Sequence, residues 1–317
     1  MSVPPASAAD PAAQRQQRAR VGVVYGVLAY GAWGLVPIYF RAVSTAPALE
    51  VLMHRVAWSV VLLALLMFLR KQWGVAREAL RHRRTILTLL LTSVLIAINW
   101  YVFIWSVEHE RVLEASLGYF INPLVNVLLG FVFLRERLRR LQLLGLALAA
   151  LGVAAQTYLV GSLPVVSLIL ATSFGMYGLL RKTARVESLV GLTMETTVLL
   201  PIALAYLIWV GARGEGMFLT QSWPMDALLV FAGVVTAVPL LWFAAAARRI
   251  QLTTMGFLQY LAPTGHLFCA LYYGESLAWQ RLLAFGFIWI ALVVYSIDAA
   301  MNRPGRRARK GEAPLMD

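Results

Sequence analysis

The feature that most constrains this chain is a succession of apolar runs, each about as long as a membrane is thick. A helix needs about 20 mostly apolar residues to cross the hydrocarbon core of a bilayer. Ten segments reach or approach this length, and they are 22–42, 50–69, 86–107, 113–134, 141–159, 164–180, 191–210, 227–247, 253–273 and 280–300. Apolar residues make up 60% of the chain and charged residues only 14%, which lipid tolerates but a water-exposed surface does not. The sequence therefore predicts an all-α polytopic membrane protein with ten transmembrane helices.

The basic residues fall mainly on one side of the predicted membrane. Of the 28 Lys and Arg residues, 23 lie in the two tails and the even-numbered loops, four lie in the odd-numbered loops, and Arg55 lies within a span. Cytoplasmic loops carry such an excess of Lys and Arg. We therefore expect a bacterial inner-membrane protein with both termini in the cytoplasm. This bias also accounts for the net charge of +13, so nucleic-acid binding is not expected.

The chain also repeats itself at an interval of about 140 residues. The segment 116–123, followed by Glu136, returns as the segment 256–263, followed by Glu275. The predicted organisation is a disordered cytoplasmic tail (1–20), two five-helix repeats (21–160 and 161–301) and a basic cytoplasmic tail (302–317). Because five is an odd number, the second repeat must enter the membrane inverted relative to the first. Inverted repeats are typical of secondary transporters, whose substrate site lies near the midplane between the repeats.

Polar residues at membrane depth single out the fourth and ninth predicted helices. Each places a polar residue, a proline and a second polar residue at the same spacing on one helical face: Tyr119, Pro123 and Asn126 in the first repeat, and Gln259, Pro263 and His266 in the second. A proline removes a backbone donor and frees the carbonyl four residues earlier. We therefore expect Pro123 and Pro263 to kink helices beside a transport cavity. The alternative is that these residues serve only helix–helix hydrogen bonds and a packing kink.

Other candidates for lining the cavity are polar or aromatic residues within the spans, namely Trp33, His54, Arg55, Asn99, Trp100 and Asn122. Arg55, with His54, faces an outer vestibule or extends to lipid headgroups, and any one tryptophan could equally face lipid. His266 and Glu195 are the candidate proton carriers. The alternatives are that His266 binds a neighbouring helix and that Glu195 pairs with an arginine of the cytoplasmic loops.

Several short segments carry a resemblance to a known family. They are residues 54–59, 99–100, 103–105, 113–126 and 273–275, and the stretch 114–126 is the most specific of them. Over roughly residues 20–300 the chain resembles the RarD proteins of the EamA branch of the drug/metabolite transporter superfamily. The resemblance implies a ten-helix inner-membrane transporter that moves small metabolites or drugs outward. RarD proteins are often labelled as chloramphenicol-resistance permeases, and the resemblance supplies no agreed set of binding residues.

The leading functional hypothesis is therefore a secondary transporter that exports small metabolites or drugs by alternating access. Its expected partners are a small-molecule solute, membrane lipid and a coupling proton. We expect no cofactor, metal site or enzymatic activity, because no nucleotide-binding, metal-ligand or hydrolase motif occurs. The alternatives are a membrane-embedded enzyme acting on lipid-linked substrates and a transport-dead regulatory scaffold. A homodimer is a further hypothesis, because the small residues Gly145, Ala149, Gly152 and Ala155 suit either a dimer contact or packing within the bundle.

Overall fold

The fold is described from a computed structural model, which covers residues 11–160, 165–274 and 279–301. Across these residues the regular secondary structure is helical throughout. In chain order the helices are α1 (Pro11–Ala42), α2 (Ala48–Leu69), α3 (Trp73–Ala79), α4 (Arg83–Glu108), α5 (Val112–Leu134), α6 (Arg140–Val160), α7 (Val165–Thr183), α8 (Ser188–Ala212), α9 (Trp223–Ala247), α10 (Leu252–Gln259), α11 (Leu261–Tyr272) and α12 (Trp279–Met301). Glu275 and the tail 302–317 lie outside the described residues.

Seven helices of the described chain are long and apolar enough to cross a membrane by length and composition: α1, α2, α4, α5, α7, α8 and α9. Shorter apolar stretches, Arg140–Ala155 and Phe285–Asp298, lie within α6 and α12. Many large apolar side chains of these helices face outward, including Leu65, Phe131 and Ile208. An outer surface of this kind is stable in lipid rather than in water. The chain is therefore a multi-pass, all-helical membrane protein.

Two helices differ from their predicted form. Helix α1 begins at Pro11, so residues 11–20 are helical rather than part of a disordered tail. Their Ala, Gln and Arg residues are strong helix formers, and they extend the spanning helix beyond its apolar run. The ninth apolar segment is interrupted, because α10 ends at Gln259 and α11 begins at Leu261. Helix α5, in contrast, continues through Pro123 without interruption.

Glu136 fixes the start of the interrupted helix. Its carboxylate accepts hydrogen bonds from the backbone N–H groups of Leu252 and Thr253 at 2.8 and 2.9 Å, and from the Thr253 hydroxyl at 2.7 Å. The first N–H groups of a helix have no partner within it, and a carboxylate there also favours the helix dipole. Glu136 therefore attaches the beginning of α10 to the segment that follows α5.

Close contacts between small residues hold the helices at the centre of the bundle. A Cβ atom added to Gly265 on α11 would lie 2.6 Å from Cα of Gly34 on α1, so these two backbones touch. A Cβ atom added to Gly145 on α6 would lie 3.2 Å from the carbonyl oxygen of Ala291 on α12, and Ala149 is buried. The first two positions of the small-residue pattern in α6 therefore serve packing against α12 within the chain.

Candidate functional site

A cavity lies at the centre of the bundle, between α1, α2, α4, α5, α7, α9, α10 and α11. Its volume is about 120 Å³. Eight of the ten residues predicted to line a cavity do so: Trp33, Arg55, Asn99, Trp100, Tyr119, Asn122, Gln259 and His266. They come from six helices that are distant in sequence. The structure therefore brings most of the predicted candidates together in one place.

One wall of the cavity is aromatic. The Trp33 ring lies 5.5 Å from the ring of Tyr30 and 5.6 Å from the ring of Phe174, between ring centroids. Phe243 supports all three rings from the core, at 5.0 to 6.2 Å. Tilted and edge-to-face contacts at these distances are favourable beyond the area that they bury. They give the wall a fixed shape and an apolar surface.

Amide side chains form the polar part of the lining. Asn99 donates to the carbonyl of Leu170 at 2.9 Å and to the Ser173 hydroxyl at 3.0 Å, which joins α4 to α7. Asn126 lies just beyond the cavity, where its amide donates to Gln259 at 2.8 Å and to Asn122 at 3.1 Å. The bond to Gln259 joins α5 to α10 across the two predicted repeats. Asn126 thus orients the side chains of Gln259 and Asn122, which line the cavity, without lining it itself.

His266 is attached to a backbone carbonyl that a proline has freed. Its Nε2 lies 3.0 Å from the carbonyl oxygen of Trp33. Pro37, four residues further along α1, has no N–H group to bind that carbonyl within the helix. Because a carbonyl only accepts, the proton of the neutral imidazole must lie on Nε2. The ring also contacts Tyr119 edge-on, with centroids 5.8 Å apart.

In four helices a proline follows a cavity-lining residue by four positions. Pro37, Pro123, Pro239 and Pro263 lie within α1, α5, α9 and α11. The residues four positions earlier are Trp33, Tyr119, Val235 and Gln259, and all four line the cavity. Each proline withdraws the intrahelical partner of one of these carbonyls. The repeated segment predicted this relation for Pro123 and Pro263, whereas Pro37 and Pro239 lie outside that segment.

Arg55 carries the only fixed charge among the residues that line the cavity. Its Nε donates to the hydroxyl of Thr236 at 2.9 Å. Its guanidinium carbon lies 5.3 Å from the ring centroid of Trp100 and 5.6 Å from that of Phe40. Thr236 and Phe40 were not foreseen, because a single threonine or phenylalanine in an apolar run has no pattern that marks it.

His54 lies away from the cavity, beneath the loop between α8 and α9. It accepts from the Trp58 indole at 3.2 Å, and its ring contacts Phe218 of that loop at 5.0 Å. Glu50, one turn earlier, accepts from the backbone N–H of Met217 at 2.7 Å. These contacts fasten the loop onto the start of α2. His54 is thus part of a structural attachment and does not line the cavity.

Glu195 is also outside the cavity, in a buried network nearer the C-terminal end of α7. Its carboxylate accepts from Thr92 at 2.7 Å and from Tyr177 at 3.1 Å, and it pairs with Arg181 at 3.3 Å. Arg181 and Glu195 are 0% and 1% exposed. Arg181 is therefore the arginine with which Glu195 pairs, and it lies in the last turn of α7.

Comparison with known proteins decides the family. The sequence profile of the EamA-like transporter family matches residues 20–158. An uncharacterized transporter of Vibrio cholerae is 47% identical over 93% of this chain and 98% of that protein. Protein RarD of Escherichia coli is 43% identical over 93% of this chain and 99% of that protein. The chain belongs to the EamA-like transporter family.

Two further similarities place the chain within that EamA-like family and its fold. The chloramphenicol-sensitive protein RarD of Pseudomonas aeruginosa is 32% identical over 92% of this chain and 98% of that protein. A solved crystal structure matches with a TM-score of 0.65 and 17% identity, over 88% of this chain and 98% of that chain. At that identity the structural match shows the fold alone. The relatives identify a RarD-type membrane transporter.

Proposed function

We propose that this RarD-type protein is a secondary transporter that moves small solutes across the bacterial inner membrane by alternating access. The observation that carries the proposal is the central cavity, which is lined from eight helices and bordered by four proline-containing segments. Interrupted and proline-containing helices at a central site are typical of secondary transporters, because freed backbone groups are tolerated where they line a cavity. Outward transport is the direction that the family resemblance implies.

We propose ten membrane-spanning helices. Seven satisfy the length and composition of a span on their own. The apolar stretches within α6 and α12, and the pair α10–α11, supply the other three. The distribution of basic residues supports this count, because the omission of one helix would place the basic loops on both sides of the membrane. It also supports a cytoplasmic location for both termini.

We further propose that the two halves are inverted repeats, with the boundary near residue 160. In this arrangement α1, α2, α4, α5 and α6 correspond to α7, α8, α9, the pair α10–α11 and α12. Every major contact then has a counterpart: α1 packs on α9 as α7 packs on α4, α5 packs on α7 as α11 packs on α1, and α2 packs on α9 as α8 packs on α4. The contacts of α2 with α8, α5 with α10, and α6 with α12 lie on the proposed two-fold axis.

His266 is the residue that we propose as the carrier of a coupling proton. Its side chain lines the cavity, and its Nε2 lies 3.0 Å from the Trp33 carbonyl oxygen. A positive charge on the imidazole would therefore act electrostatically both on a solute in the cavity and on the backbone of α1. Glu195 is a second candidate, but its carboxylate is already bound to Arg181. A homodimer also stays a proposal, with less support from α6 because Gly145 faces α12.

Transport by purified protein in proteoliposomes tests the proposal. We expect a proton gradient to drive accumulation of a labelled solute, with chloramphenicol as the first compound because a relative's name refers to it. Empty vesicles are the control. Product formation from a lipid-linked substrate without a gradient would instead indicate an enzyme. Neither flux nor product across a panel of metabolites would indicate a regulatory scaffold.

The His266→Gln variant tests the coupling residue in the same vesicles. Glutamine keeps an N–H donor for the Trp33 carbonyl but does not titrate. We expect solute exchange to persist and the dependence on the proton gradient to disappear. Gradient dependence equal to that of the unmodified protein would exclude His266 as the carrier. The variant Glu195→Gln, measured in parallel, tests the second candidate.

A further inference from the structure

Arg55 has no carboxylate partner among the described residues. Lys182 and Arg248 are half-buried and also lack an ion pair within this part of the chain, but both donate to backbone carbonyls, whereas Arg55 donates only to the Thr236 hydroxyl. It takes part in none of the ion pairs between described residues, whereas Arg181, Arg111 and Arg139 each have a carboxylate partner. None of the cavity-lining residues is an Asp or Glu. An arginine inside a membrane protein is costly unless it is paired, solvated or functional. Arg55 therefore has room for a partner that comes from outside the chain.

The orientation of Arg55 leaves its two terminal nitrogens for that partner. Among the described residues its only hydrogen bond is from Nε to Thr236, at 2.9 Å. Thr236 is 1% exposed, so its hydroxyl is a fixed anchor. Phe40 and Trp100 flank the guanidinium by their ring faces and hold its plane. The two Nη groups of a fixed guanidinium are arranged to bind a planar oxyanion through two parallel hydrogen bonds.

The other residues that line the cavity indicate what the uncharged part of the partner must be like. The same cavity is lined by the aromatic wall of Trp33 and Phe174, and by the polar side chains of Asn99 and Gln259. A single positive charge in a cavity with low-dielectric walls attracts anions and disfavours cations. A solute that fits has one anionic head and an apolar or aromatic body.

We infer that Arg55 is the anchor for an organic anion, and that the solute of this transporter is a small organic acid with an apolar body. This inference rests on the proposed transport function for its physiological meaning. It concerns a binding event, however, and a binding measurement tests it without any transport. Thr236 is the positioning residue, because it acts on the solute only through Arg55.

The experiment compares two ligands that differ only in charge. Binding of 3-phenylpropionate and of 3-phenylpropanamide to the detergent-purified full-length protein is measured by titration calorimetry and thermal unfolding. We expect the acid to bind and to raise the unfolding temperature, and the amide to do neither. Phenylphosphonate distinguishes a phosphonate head from a carboxylate head, and binding of either acid through Arg55 supports the inference.

Variants connect the binding to the residue. Arg55→Gln should weaken binding of the acid at least about tenfold, which is the usual consequence of losing a charge-assisted pair. Arg55→Lys keeps the charge but loses the two-pronged geometry, so an intermediate loss is expected. Thr236→Val should weaken binding with the charge intact. Arg213→Gln is the matched control, because Arg213 is exposed, pairs with Glu215 and is not among the cavity-lining residues.

Several outcomes would overturn the inference. The first is equal binding of the acid and the amide. The second is binding that Arg55→Gln and Arg55→Lys leave unchanged, in variants whose gel-filtration elution matches that of the unmodified protein. The third is the absence of binding across a panel of aromatic and aliphatic monocarboxylates. Stabilisation by phosphatidylglycerol vesicles without a response to soluble acids would also overturn it, since the anion would then be a lipid headgroup.

Solute counterflow in proteoliposomes separates this inference from the transport proposal. Acid binding through Arg55 without counterflow contradicts transport and leaves the anion site intact. Counterflow of a neutral solute that Arg55→Gln does not alter contradicts the anion site and leaves transport intact.

Discussion

Glu195 and Arg55 both carry charge within a span of this bundle, and their surroundings treat it differently. The charge of Glu195 is compensated, because Thr92, Tyr177 and Arg181 all bind its carboxylate, whereas Arg55 has no carboxylate partner among the described residues. The presence of a charge in an apolar run was visible from the sequence. An arginine partner was one of the two alternatives, but Thr92 and Tyr177 were not foreseen, because neither follows a pattern that marks it.

Removal of one member of the Glu195–Arg181 pair should destabilise the protein strongly. We expect Glu195→Ala to cost about 3–5 kcal/mol, because Arg181 would remain buried and unpaired. The double variant Arg181→Met with Glu195→Leu should cost less than either single change. Thermal unfolding in detergent is the measurement. The control is Glu78→Ala, which breaks only exposed pairs, with Arg81 and His82. A small loss for Glu195→Ala would show that the pair is not needed for stability.

The Arg55 site also shows the limit of reasoning from residue types. Its charge and depth were evident in the sequence, and a location facing an outer vestibule or the headgroups was expected. Its contact with Thr236 on α9 could not be foreseen, because the two residues are 181 positions apart. Tyr30, whose buried hydroxyl lacks a partner among the described residues, is a further cavity residue that no pattern marked.

At the scale of helices, the sequence predicted where the apolar helices lie, but it predicted only in part where one of them is interrupted. The ten apolar segments are helical in their described parts, except that the ninth is interrupted at Tyr260 and its helix ends at Tyr272. The proline in the ninth segment predicted a kink, but the break comes earlier, between Gln259 and Leu261. Helix α10 ends at Gln259, whose carbonyl is the one that Pro263 leaves without an intrahelical donor. The start of α10 is bound by Glu136 from a distant part of the chain, and that contact has no signal within the helix itself.

Closing the interruption between α10 and α11 should impair transport without destabilising the protein. The change Pro263→Ala restores an N–H group that can bind the Gln259 carbonyl, so equal or higher thermal stability is expected. Transport should fall several-fold, because the carbonyl is withdrawn from the cavity. Pro201→Ala is the matched control: Pro201 also lies within a helix, α8, but the residue four positions earlier, Thr197, does not line the cavity. Equal transport by both variants would argue against a role for the freed carbonyl.

For the whole molecule, the predicted number of spans and the predicted orientation depend on one another. Hydrophobicity located the segments, and the basic residues gave their direction. The packing of specific helices was beyond prediction from one sequence, because the repeat was too weak to indicate which helix of one half meets which helix of the other. The cavity at their meeting point was nevertheless expected, since inverted repeats place it near the midplane.

Cysteine labelling in intact cells tests the orientation. In a chain whose buried Cys269 is replaced by alanine, Thr220→Cys lies in the loop between α8 and α9, and Glu78→Cys lies in α3. Both positions are exposed. A membrane-impermeant maleimide should label the first in intact cells and the second only after permeabilisation. Labelling in the opposite order would reverse the predicted topology.

The unneutralised charge of Arg55 has an electrical consequence. If the solute is an anion, the loaded site is neutral, whereas the empty site carries one positive charge. The membrane potential then acts on the return of the empty carrier rather than on the loaded step. With the cytoplasm negative, it pulls the empty site inward, by up to about 2.3 kcal/mol per 100 mV if the charge crosses the whole field. An exporter of this design would be electrogenic, and the potential would add to the drive that a proton carried by His266 supplies.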